Sequence, residues 1–182
     1  MWNGVQVLYL GFLAVQAPSL IATGQSVGTS PAAVVRQYCE LDMKGARLSS
    51  ENPYMDRISA LGTWQIEPGW DSVIVVKDFI IVREHTGQRT SSVAVRYRVL
   101  GQMTGANVTP ARQHEELVTF VLERPGNTWK IERPLIPPHV SVQAEATALR
   151  DLLSSEKDSQ RRKRLDQGLA VLSRWAGGPS LK

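Results

Sequence analysis

Tyr38 and Asp42 stand four residues apart in Val34-Val35-Arg36-Gln37-Tyr38-Cys39-Glu40-Leu41-Asp42. On a helix that spacing puts both on one face, a phenol beside a carboxylate, which is acid/base equipment. Tyr97, on an alternating segment further along, offers a second hydroxyl. The plainer reading is that Tyr38 packs its ring in a core and Asp42 lies on the wet edge of the stripe. The three histidines, His85, His114 and His139, show no metal-ligand spacing. His114-Glu115-Glu116 opens a strand, where alternate residues face opposite sides, so it gathers no metal site. His139 follows two prolines and reads as a helix-entry residue satisfied by backbone. No Ser-His-Asp set can be drawn. Cys39 lies on an apolar helix flank and reads as a small buried hydrophobe rather than a nucleophile. No metal and no cofactor is expected.

These groups must be positioned by a helical front and a stranded middle. Ser30-Pro31 supplies an N-cap and a first-turn proline for a helix to Arg47, with Val34, Tyr38 and Leu41 on its inward stripe. A shorter helix is expected over Tyr54 to Leu61. Glu67-Pro68-Gly69 turns the chain into strands at Ser72 to Lys77 and Phe79 to Glu84. Ser92 to Met103 alternates, with Val93, Val95, Tyr97, Val99 and Met103 on one face. Thr104 to Arg112 reads as a loop, Glu116 to Arg124 as a strand, Pro125-Gly126-Asn127 as a hairpin turn, and Thr128 to Arg133 as the returning strand. A packing helix is expected over Val140 to Leu153. A last helix, capped from Ser155, carries Leu165, Leu169, Leu172 and Trp175. Trp64, Trp70 and Trp129 are candidate aromatic walls of a pocket, together with Tyr38, Tyr97 and Phe120.

Charge is distributed unevenly. Residues 1–155 hold 14 Lys/Arg against 14 Asp/Glu, and residues 156–182 hold 7 against 3, so the net charge of +4 belongs to the last segment. A neutral body argues against a nucleic-acid partner, which needs a basic face on the folded domain. The run Arg161-Arg162-Lys163-Arg164 backs onto leucines. That face packs on the domain or on a second subunit, with contact to anionic lipid as the lesser alternative. At the other end, no Lys, Arg, Asp, Glu or His precedes Arg36. The apolar run Val5 to Val15 and the small residues of Ala22-Thr23-Gly24 mark a signal peptide over residues 1–24, and hence a periplasmic or extracellular protein. An N-terminal membrane anchor is the alternative. Residues 25–29 form a linker, 30–153 the domain and 154–182 a basic helical tail. One cysteine excludes an internal disulfide framework.

The order of elements is α+β. In that order the helix Val34–Asp42, the Pro68-Gly69-Trp70-Asp71 turn, the Val95-Arg96-Tyr97 strand and the Trp129-Lys130-Ile131 strand make residues 30–153 resemble the nuclear transport factor 2-like superfamily. This superfamily is also called SnoaL-like or ketosteroid-isomerase-like, and the chain looks most like its uncharacterised exported bacterial members. The resemblance implies a curved antiparallel sheet wrapped on the N-terminal helices, a cone or cystatin-like roll. A homodimer through the sheet is expected beside it. It does not imply one activity, since the same fold carries isomerases, cyclases and pure binding domains. The expectation is therefore a non-catalytic domain that binds a small apolar molecule or a protein partner through the cone. The alternative is an isomerase- or cyclase-type enzyme with Asp42 and Tyr38 or Tyr97 as its acid/base pair.

Overall fold

The computed structural model describes residues 30–177, apart from Gln65 and the side chain of Gln113. The signal segment and linker expected from the sequence lie outside the described residues. Ser30 caps α1 (Pro31–Met43) as expected, its Oγ accepting from the Ala33 N–H at 3.1 Å. The helix stops at Met43 rather than Arg47, because Gly45 enters the left-handed region at φ +81° and reverses the chain. A single short turn, α2 (Met55–Ser59), follows.

Strands β1 (Ser72–Thr86), β2 (Thr90–Thr104) and β3 (Asn107–Glu123) form an antiparallel meander. Most of the expected loop from Thr104 to Arg112 is strand, because two residues, Gly105 at φ +58° and Ala106, suffice for the turn. The short β4 (Lys130–Arg133) extends β3, and β5 (His139–Ser141) pairs with β1, giving the order β4-β3-β2-β1-β5. The fold is α+β with a strongly curved mixed sheet, a half-barrel, and not the wholly antiparallel sheet expected. Residues 134–138 carry the chain from the β4 edge to the opposite edge, where β5 runs parallel to β1 with Ile74 beside His139.

The sheet has a core on each face. Val93, Val95, Tyr97 and Val99 join Val34, Val35, Tyr38, Cys39 and Leu41 of α1 in the larger one. Met103 does not share their face. Val99 pairs with Val76 and Gly101 with Val75, so β2 spends two residues where β1 spends one. This bulge breaks the two-residue period, and Met103 joins Val75 in the second core.

That second core is closed by α3 (Val142–Ser155) and α4 (Ser159–Gly177), which contribute Leu149, Leu165 and Leu172. Asp158, not Ser155, caps α4, its Oδ1 accepting from the Arg161 N–H at 2.6 Å. The expected packing helix is present, but the apolar content of the fold does not end at Leu153. The leucines of the basic segment pack on the domain itself, leaving Arg161, Lys163 and Arg164 exposed. Lying on lipid would require an apolar face that this helix has already buried. Gly101 permits the approach: a Cβ there would sit 2.5 Å from the Trp175 ring and 2.6 Å from the Thr109 carbonyl oxygen.

Leu172→Ala should lower the free energy of unfolding by about 2–5 kcal/mol in denaturant titrations, the cost of a large-to-small change in a closed core. Unchanged stability would show that α4 contributes nothing to the fold. Glu145, on the inward face of α3, is buried, and one carboxyl oxygen has no partner among the described residues. Burial raises its pKa from 4.5 to about 7. Between those values the folded chain holds a proton that the unfolded chain has released, so stability falls as pH rises from about 4.5 to about 7 and levels off above it. Glu145→Gln should remove that fall and stabilise the protein at pH 8 by about 2–3 kcal/mol, with no gain at pH 4. Melting curves at the two pH values check it.

Candidate functional site

Asp42 lies near the end of α1, and the Gly45 reversal returns Arg47 to it. Arg47 grips the carboxylate with both arms of its fork, Nε donating to Oδ1 at 3.0 Å and Nη2 to Oδ2 at 2.9 Å. Both side chains are fully buried. The remaining Arg47 donor, Nη1, reaches Glu67 Oε1 at 3.1 Å and the Ile136 carbonyl at 2.9 Å. Burial works against the guanidinium's charge, and the adjacent Asp42 carboxylate overrides it, leaving the Arg47 pKa raised. Asp42 Oδ2 also accepts from the His139 N–H at 2.9 Å. The carboxylate therefore meets three donors and a full positive charge. It is neither on a wet edge nor hydrogen-bonded to Tyr38 or Tyr97.

Beyond the His139 backbone a second polar chain crosses the inner face. The imidazole lies against the Tyr97 ring, centroids 4.4 Å apart. Nδ1 is 2.8 Å from the Pro137 carbonyl oxygen, which accepts only, so Nδ1 carries a hydrogen. Nε2 is 3.4 Å from Glu116 Oε2. The hydrogen bond to His139 holds the Glu116 pKa below 4.5, against an opposing effect of partial burial. His139 is thus a buried residue of β5, three positions before α3 rather than at the helix entry, and its ring is satisfied by backbone as expected while also reaching across to β3. The Tyr97 hydroxyl is 3.0 Å from Cys39 Sγ. Burial drives the Cys39 thiol up to about 12 and raises both tyrosines well above 10. Cys39 remains a thiol at neutral pH and is no nucleophile.

Four of the six aromatic wall candidates, Tyr38, Tyr97, Phe120 and Trp129, are core residues. Trp64 and Trp70 are half-buried in the segment between α2 and β1. Trp64 packs edge-on against Tyr38, centroids 6.2 Å apart, and Tyr38 packs on Phe120 at 5.5 Å. Gly62 makes room for the indole: a Cβ there would stand 2.5 Å from ring atoms of Trp64. The Tyr38 hydroxyl and the Trp64 indole N–H have no hydrogen-bond partner among the described residues, and neither has the Trp70 N–H. Among the described residues no group of three or more His, Cys, Asp or Glu is placed to hold a metal ion.

Sequence spacing put Tyr38 and Asp42 on one helix face with Asp42 expected at its wet edge, and the structure buries both. It missed Arg47, Glu67, Glu116 and His139, whose meeting depends on the Gly45 reversal and on the crossover to β5. The positive-φ glycine was the one local signal for the first. Compared with known proteins, the chain matches no family model, no curated protein and no solved structure.

Asp42→Asn and Arg47→Met should each cost about 3–5 kcal/mol of unfolding free energy, because the first leaves buried Arg47 with Glu67 alone and the second leaves buried Asp42 without a counter-charge. Exchanging both for apolar residues of similar size should cost less than the sum of the two. Denaturant titrations of the single and double variants test this, and additive losses would mean that the ion pair is not a unit.

Proposed function

We propose that this chain is an exported, non-catalytic binding domain of the nuclear transport factor 2-like kind. Its curved sheet and α1 form the cone, and a small apolar molecule is held where Trp64 meets Tyr38. The observation that carries this reading is the pair of hydrogen-bond donors at that corner, the Tyr38 hydroxyl and the Trp64 indole N–H, buried without partners among the described residues. An unsatisfied buried donor costs about 1–3 kcal/mol, a cost that a bound acceptor removes. The ligand therefore has an apolar body, to suit the half-buried Trp64 ring, and one acceptor such as a carbonyl or ether oxygen. The enzyme alternative needs Asp42 as a base, and three donors with a guanidinium on that carboxylate weigh against it. Export rests on the apolar run from Val5 to Val15 and the Ala22-Thr23-Gly24 site.

A second reading, self-association through the sheet, is favoured by its outer face. Leu117 is 64% exposed, Ile80 51% and Val82 37%. Ile80, Arg96 and Leu117 stand side by side in register, with the Arg96–Glu115 and Arg98–Asp78 ion pairs around them. Apolar residues among balanced charges suit a two-fold contact between copies.

Native mass spectrometry of the protein recovered from its host's export fraction tests both. The expected outcome is a chain beginning after Gly24 that carries an added non-protein mass, lost on denaturation and absent from Tyr38→Phe and Trp64→Phe variants. A bare dimer that Leu117→Lys dissociates would move the function to the sheet face. A bare monomer overturns both readings, and a chain still beginning at Met1 overturns signal cleavage.

A further inference from the structure

Two turns meet at one end of the meander, the one joining β1 to β2 and the one joining β3 to β4. The β2–β3 ladder closes with Thr90 opposite Glu123, so Arg89 and Arg124 must meet one step beyond it. They do, the Arg124 N–H donating to the Arg89 carbonyl oxygen at 3.0 Å. A cleft of about 520 Å³ opens beside them, lined by Gln88, Arg89, Arg124, Gly126 and Asn127. Its lining holds two full positive charges, two side-chain amides and no carboxylate, since the neighbouring Glu123 is not part of it. Among the described residues neither guanidinium takes part in an ion pair. Arg124 is not free to swing away: its guanidinium lies over the ring of buried Trp129, 5.6 Å from the centroid.

We propose that this cleft binds a tetrahedral dianion, the phosphate group of a small molecule or inorganic sulfate. Guanidinium forks match such an oxyanion with paired N–H donors. Two like charges brought together by the register, with no acid between them, are balanced by a dianion and only half balanced by a carboxylate. Gln88 and Asn127 add amide donors for the remaining oxygens. Because arginine stays protonated across the physiological range, sulfate binding should not change between pH 6 and pH 8. The site lies on residues separate from the Tyr38–Trp64 corner and does not depend on what that corner holds.

Titration calorimetry of the full chain at constant ionic strength, with inorganic phosphate, inorganic sulfate and acetate as probes, tests it. The expected result is saturable one-to-one binding of phosphate and sulfate, with acetate weaker. Arg89→Gln should weaken phosphate binding about ten-fold or more, the loss of a charge-assisted pair, and Arg164→Gln on α4 should not change it. Arg89→Gln decides the matter even if Arg124→Gln disturbs Trp129, because it is the Arg124 guanidinium that lies over that ring. Heats that never saturate, acetate binding as tightly as phosphate, or an equal loss in Arg164→Gln would each overturn the proposal. Phosphate saturating while sulfate does not would restrict the ligand to phosphate.

Discussion

The buried pairing of Asp42 with Arg47 is the constraint around which this fold is arranged. A carboxylate taken out of water is tolerated only when its lone pairs are filled and its charge is matched. Arg47 does both with its fork, and the His139 N–H fills the remaining place. The chain must accordingly turn back at Gly45 to deliver Arg47, and must bring β5 to the β1 edge to deliver the His139 amide. Glu67 and the Ile136 carbonyl, both bound by Arg47, tie down the segments leading into β1 and β5. One ion pair thus joins the end of α1, the approach to the sheet and the crossover strand. Three donors, two of them from one guanidinium, hold that carboxylate and these segments together.

The sheet serves two cores because its strands change face part-way along. Before the bulge, β2 sends Tyr97 and Val99 toward α1, and after it Met103 is directed toward α3 and α4. Strict alternation in β2 would have turned Met103 away from this second core, which Val73 and Val75 of β1 and Val108 of β3 also line. Polar residues mark the boundaries of the arrangement. His139 and Glu116 span the inner face, and Glu145 is the one acid carried under α3 with an unmatched carboxyl oxygen among the described residues.

Local chemistry was legible where it is decided locally. Ser30-Pro31 announced the start of α1, Pro125-Gly126 the last hairpin, and the alternation from Val93 to Val99 the inner face of β2. The parallel pairing of β5 was not legible, because five residues between two edges say nothing about which edge comes next. Nor was the destination of Met103, since a bulge is defined by the partner strand and not by the strand that contains it. The candidate site was half visible. Tyr38 and Asp42 follow from helical spacing, but the partners of Asp42 come from residues 47 and 139, beyond the reach of any periodic pattern. Trp64 was visible as an aromatic and not as an unpartnered donor, which depends on the indole settling over Gly62.

The close approach of Trp175 to Gly101 has an optical consequence. The indole rests on bare backbone of β2, at the far end of the helix that seals the second core. Trp129 is enclosed in the other core beneath Arg124. The two chromophores therefore report on opposite faces of one sheet. Light emitted from Trp175 follows the seating of α4, and light from Trp129 follows the integrity of the core behind it.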